Sequence, residues 1–147
     1  MLNFDFSTVI PINTVKLFQI LTNYTILKEL LPDQVKECKI IQQNEEETVT
    51  EELLVFNTYF KKQKIIQKTS HKIVKPNIII NHTIDGPFKD SVLTITLEEE
   101  KESTKVILNG KCKIPLKYSI LSPVIKKYYK MYCVSLLYKI NNKYNIK

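Results

Sequence analysis

Between residues 35 and 114 the sequence keeps a period of two through six successive runs, each stopped by turn chemistry. The runs cover residues 35–43, 47–56, 60–74, 78–85, 91–99 and 104–114. Asn44-Glu45, Pro76-Asn77, Asp85-Gly86-Pro87 and Lys101-Glu102 punctuate them. Period two sends successive side chains to opposite faces of a sheet, so this stretch predicts a single curved antiparallel meander with one apolar and one wet face.

The strand registers provide a check on that expectation. A two-residue turn at Pro76-Asn77 pairs Ile73 with Ile80, His71 with His82 and Thr69 with Ile84. It leaves Lys62, Lys64, Lys68 and Lys72 on the other face. A turn at Lys101-Glu102 pairs Leu97 with Val106, Ile95 with Leu108 and Leu93 with Gly110, with Lys105, Lys111 and Lys113 pointing away. Both hairpins give one apolar face and one lysine-rich face.

The flanks read differently. Residues 4–10, "FDFSTVI", alternate as a first strand, and Pro11 ends it. Asn13 is placed to cap a short helix, "TVKLFQIL", with Val15, Phe18 and Leu21 on one side. "YTILKELLP" reads as a second short helix closed by Pro32. Beyond Pro115 and Pro123 a long helix is predicted over residues 121–142. At ~100° per residue, Leu121, Val124, Ile125, Tyr128, Tyr132, Ser135 and Leu136 share one stripe, with Lys126, Lys127 and Lys130 opposite. Such a helix, ~30 Å long at ~1.5 Å per residue, is expected to cover the concave face of the sheet.

This order of elements resembles the START-like (SRPBCC) superfamily, the helix-grip fold of polyketide cyclases, Bet v 1-like proteins and lipid-transfer domains. "IDGPFK" at residues 84–89 looks like the Asp-Gly-Pro-Phe signature of the branch that holds coenzyme Q-binding proteins and the bacterial ribosome-association toxin. "LLPDQVKECKII" and "VIPINTVKLFQILTNY" are similar to that branch's approach to the second strand and its strand-to-helix opening. The resemblance implies an α+β helix-grip domain over residues 1–147: about seven antiparallel strands wrapped around the C-terminal helix, with two short helices after strand one. It also implies an apolar tunnel between sheet and helix. The registers line that tunnel with Ile80, Ile84, Leu93, Ile95, Leu108, Cys112, Tyr128 and Tyr132. Phe88, held by the Asp-Gly-Pro turn, either plugs the rim of the core or faces the end of the tunnel.

Among polar groups, His71 and His82 are expected as neighbours on the concave side. They would orient a carbonyl or hydroxyl, transfer protons, or share water at the rim. Tyr128, Tyr132 and Ser135 add hydroxyls. Cys38, Cys112 and Cys133 form no CxxC and have no histidine at ligand spacing, so reduced thiols are expected, with neither zinc nor disulfide framework. The chain has only two glycines and no nucleophile set beside a base, and nothing in it calls for a cofactor or metal.

Three functions fit. The first is a non-enzymatic carrier of a lipid or isoprenoid quinone. The second is a polyketide cyclase/dehydratase-type enzyme using His71, His82 or a tyrosine. The third, suggested by the toxin branch, is an interaction module on ribosomes or RNA. The formal charge of +7 admits nucleic acid or anionic membrane as a partner, and lysines on the outer helix face would then aid delivery at membranes. All 22 basic residues are lysine, however, and the chain has no Ala and no Trp. Arginine's planar fork is the usual reader of phosphate and bases, so part of this charge reads as compositional bias on a solvated surface. The opening residues lack a basic leader and cleavage site, and a cytosolic location is expected.

Overall fold

The computed structural model describes residues 2–57 and 62–144. Strand β1 (Leu2–Ile10) is followed by helix α1 (Thr14–Leu21), then a 3-10 turn (Tyr24–Ile26) that runs into helix α2 (Leu27–Leu30). Six strands follow: β2 (Val35–Gln43), β3 (Glu47–Asn57), β4 (Lys62–Lys75), β5 (Ile78–Asp85), β6 (Val92–Glu100) and β7 (Ser103–Cys112). A second 3-10 segment (Leu116–Leu121) leads into helix α3 (Ser122–Tyr144). The start expected for the third run at residue 60 lies outside the described residues.

All neighbours in the sheet are antiparallel, in the order β1-β7-β6-β5-β4-β3-β2. The first strand therefore closes on the last, and Phe4 sits opposite Gly110. That glycine is required: a Cβ there would collide with the Phe4 ring, which also packs edge-on against Tyr129 of α3 at 5.3 Å. The concave face carries the core, where Leu17, Leu31, Ile79, Leu97, Leu108 and Ile140 are essentially solvent-free. Burying each such side chain contributes roughly 1.5–3 kcal/mol. The fold is the expected α+β arrangement, seven antiparallel strands with two short helices after β1 and a long C-terminal helix.

Local signals act where expected. The Asn13 side chain accepts from the Lys16 amide at 2.8 Å and caps α1. Pro123 occupies the first turn of α3, where its missing N–H costs no helix bond. Gly86 has a φ of 114°, in the region that disfavours a Cβ, and a Cβ there would also lie 2.9 Å from the Ile66 carbonyl oxygen.

Three expectations are corrected. The β6–β7 pairs hold, but the β4–β5 register slips by one residue between Ile73 and Lys75. The extra residue there, Val74, places His71 opposite Asn81, Thr69 opposite Thr83 and Ser70 opposite His82. On α1, the buried residues are Leu17 and Ile20, whereas Val15 is 71% exposed, and Phe18 and Leu21 flank the core. On α3, the buried positions are Ile125, Cys133, Leu137 and Ile140, a stripe that keeps Ile125 but is turned partway from the one read, whose Tyr128, Tyr132 and Leu136 border the space between helix and sheet.

Candidate functional site

Sheet and α3 do not fill the space between them. A cavity of about 180 Å³ remains, walled by the concave faces of β3 to β6, by α3, and by the segment from α1 to α2. Its walls are mostly apolar, among them Leu54, Phe56, Ile65, Leu93, Ile95 and Ile125. No lysine borders it among the described residues.

Of the residues expected to line a tunnel, His71, Phe88, Leu93, Ile95, Cys112, Tyr128 and Tyr132 border this cavity. Leu108 is buried but belongs to the solid core beside it. Ser135 lies on α3 outside the cavity lining. Ile80, His82 and Ile84 do not border it either, because the bulge at Val74 inverts the facing of β5. The expected pairing of His71 with His82 is thereby corrected. His82 lies on the outer surface with its side chain 43% exposed, 3.8 Å from Asp90, which also meets Lys113 at 3.6 Å.

Asn81 takes the inner place expected for His82, and its side chain settles the state of His71. The Asn81 amide nitrogen donates to the Leu93 carbonyl at 3.2 Å, so its oxygen faces the His71 Nδ1 at 2.6 Å and accepts from it. The Nε2 is then bare and accepts from the Thr50 hydroxyl at 2.8 Å. Tyr24 stacks on the imidazole with centroids 3.9 Å apart. Burial pushes His71 down to about 4, against a smaller opposing pull from Asn81, so the ring is neutral at physiological pH.

Sequence reading missed Glu52, the one acidic residue on the cavity wall among the described residues. It is 5% exposed and faces Gln67 of β4 and Cys38 of β2 across the ladder. Burial pushes its carboxyl up to about 7, while the hydroxyls of Thr69 and Thr50 pull less strongly downward. A signal was available: Glu52 shares strand parity with Leu54 and Phe56, both inward. Tyr129 and Cys133 were missed with the rotation of the α3 stripe.

The ends of the cavity differ. At one end Phe88, from the turn after β5, packs on Phe56 and Tyr118 at centroid distances of 6.1 and 6.0 Å. Nearby the Tyr128 hydroxyl donates to the Val55 carbonyl at 2.7 Å, tying α3 to the end of β3. At the other end lies Tyr24, whose carbonyl accepts from Cys38 behind the cavity wall; burial pushes that thiol up to about 12, so it is a poor nucleophile. All three cysteines are free thiols. Among the described residues, no three His, Cys, Asp or Glu converge as a metal site would require.

No protein-family model matches the sequence, and no curated protein matches it. Solved structures do match in shape. The chain is similar to a protein from Thermus thermophilus, with 17% identity, a TM-score of 0.79, and coverage of 96% of this chain and 95% of that one. It is similar to the Zhui aromatase/cyclase from Streptomyces sp. R1128, with 8% identity, a TM-score of 0.77, and coverage of 97% and 92%. It is also similar to a START superfamily protein from Mycobacterium smegmatis, with 15% identity, a TM-score of 0.70, and coverage of 96% and 95%. The likeness is one of fold, and the fold is the START-like helix grip.

Proposed function

We propose that this chain binds a small hydrophobic molecule in the cavity between the sheet and α3, as a carrier or chaperone rather than an enzyme. The observation that supports it is the cavity itself, an unfilled space of about 180 Å³ between the sheet and α3. An apolar void forfeits dispersion contacts and destabilises a core that has no use for it. The polar groups His71, Thr50 and Asn81 satisfy one another, which suits a site that holds a guest more than one that reacts with it. Ligand pockets for drug-sized molecules run to ~300–1,000 Å³. The volume here favours a compact guest, and an isoprenoid quinone would have to leave most of its tail outside.

Delivery at an anionic membrane is part of this reading. Leu116 and Ile120 are 89% and 88% exposed, on the segment whose Tyr118 packs on Phe88 at one end of the cavity. Lys117, Lys126 and Lys127 lie close by in sequence and are exposed, and no acidic residue follows Glu102. Exposed apolar side chains among lysines suit an anionic bilayer surface. No helix of the described residues is long and apolar enough to cross a membrane. The ribosome or RNA alternative gains no comparable support.

A cyclase-type reaction is the second reading, favoured by the shape shared with the Zhui aromatase/cyclase and by a histidine on the cavity wall. One experiment addresses both. Native mass spectrometry of freshly purified protein is expected to show a retained small molecule, released intact on unfolding. Protein that emerges empty and takes up no hydrophobic probe would overturn the carrier. Release of a chemically altered guest by the parent protein, and of the unaltered one by His71→Gln, would favour the enzyme.

A further inference from the structure

Glu52 borders the cavity, and its carboxyl has one oxygen unanswered. Its Oε2 is buried and has no hydrogen-bond partner among the described residues, and its side chain borders the cavity. Buried polar atoms are nearly always paired, so an orphan on the wall of a cavity points to a partner that arrives with a guest. Thr50 is committed to His71 and Asn81 is engaged at both ends of its amide, and the pull of the Thr69 and Thr50 hydroxyls on the carboxyl still leaves Oε2 without a partner.

The charge state follows from the groups that face Glu52. Cys38 lies opposite on β2 and Gln67 on β4, Tyr132 is on α3, Glu51 is next in the chain, and His71 shares the cavity wall. Burial keeps the cysteine and tyrosine protonated and the histidine neutral. None of them is a cation that would hold a carboxylate. Below neutral pH the carboxyl therefore keeps its proton and has one O–H to donate into the cavity.

We propose that Glu52 is the polar anchor of this cavity, and that its guest is a neutral molecule of about single-ring size presenting one acceptor oxygen, as an aryl ketone does. This rests on the cavity being a ligand site. Size follows from volume: a dry cavity of ~150 Å³ accommodates benzene, and about 180 Å³ leaves room for a short substituent. Charge follows from the lining, which offers no lysine as a counter-charge to an anion. Fatty acids and aromatic acids are thereby rejected.

The test uses the full chain and three probes of similar shape: ethylbenzene, acetophenone and benzoate, titrated by NMR or calorimetry at pH 6. Acetophenone is expected to bind about tenfold more tightly than ethylbenzene, the effect of one buried hydrogen bond gained. Benzoate should bind at least about tenfold more weakly than acetophenone, for want of a counter-charge. Glu52→Leu should bring acetophenone within about twofold of ethylbenzene, since only the hydrogen bond is lost. Glu52→Gln, which keeps an N–H donor, should preserve the preference for acetophenone. It should also abolish the loss of acetophenone affinity that the parent shows between pH 6 and pH 8. Equal binding of ethylbenzene and acetophenone by the parent, or benzoate bound as well as the ketone, would overturn the anchor and leave the cavity reading standing. Failure of all three probes to bind the parent would overturn both.

Discussion

Glu52 and His71 are two buried titratable groups whose burial acts in opposite directions on stability. The Glu52 carboxyl rises from 4.5 to about 7 on folding, so it costs nothing in acid, and its penalty grows as pH climbs through that window. The His71 imidazole falls from 6.5 to about 4, so it costs nothing above 6.5, and its penalty grows as pH drops toward 4. At ~1.4 kcal/mol per pH unit each amounts to about 3 kcal/mol. Between about pH 4.5 and 6.5 the two slopes cancel, and their joint contribution to the parent's stability should be flat there. Glu52→Gln should expose the histidine, and urea midpoints should then rise steadily with pH over that interval. His71→Gln should show the reverse, a fall as pH rises toward 7. Parallel profiles for the parent and both variants would show that neither group is held as the structure places it. Glu52 also shows what the sequence hid at this scale. Its inward parity was readable from Leu54 and Phe56, but its solitude was not, because that depends on which hydroxyls His71 and Asn81 have already claimed.

Among the elements, strands were the most legible, since turn residues and alternation name both ends of a strand and its faces. Every β6–β7 pair tested follows from the Lys101-Glu102 turn, and Lys101 takes the positive φ, 55°, that a tight turn of this kind requires. β4 and β5 were legible in extent but not in register, because a bulge changes pairing without leaving a mark in composition. The helix α3 was legible in length but rotated. Tyrosines at 128, 129 and 132 fit either side of a stripe, and contact with the sheet decides between them. The closure of β1 on β7 gives a prediction at this scale. Gly110→Ala should destabilise by about 1–3 kcal/mol through overpacking against Phe4. Phe4→Leu in the same chain should recover part of that loss, so the double variant should be more stable than the sum of the two single effects predicts. Strict additivity in thermal or urea unfolding would mean that Phe4 and Gly110 do not share the contact.

For the molecule as a whole, the resemblance carried by the order of the elements anticipated the architecture, and the matching solved structures have that fold. The size of the cavity was beyond reading, since a few cubic ångströms per side chain decide whether a helix seats flush. The apolar tip at Leu116 and Ile120 was also overlooked, because two hydrophobes in a lysine-rich stretch look like part of the helix stripe. If it is a landing surface, replacing both by Ser should lower cosedimentation with vesicles containing anionic lipid by about tenfold, from lost burial of apolar area. Thermal stability should be untouched, because neither side chain is buried. Salt at ~0.5 M should weaken the parent's attachment by screening its lysines. Unchanged attachment in the double variant would remove the membrane from the proposal.

Val74 touches none of these groups, yet it decides which of them are indoors. A chain one residue shorter at that point would slide β5 by a single step and exchange its two sides. Asn81 and Thr83 would turn to the solvent, Ile80 and His82 would turn inward, and the imidazole of His71 would lose the amide that dictates its tautomer. The chemical character of the interior is thus written partly in the spacing of the backbone, at a position whose own side chain could be almost anything.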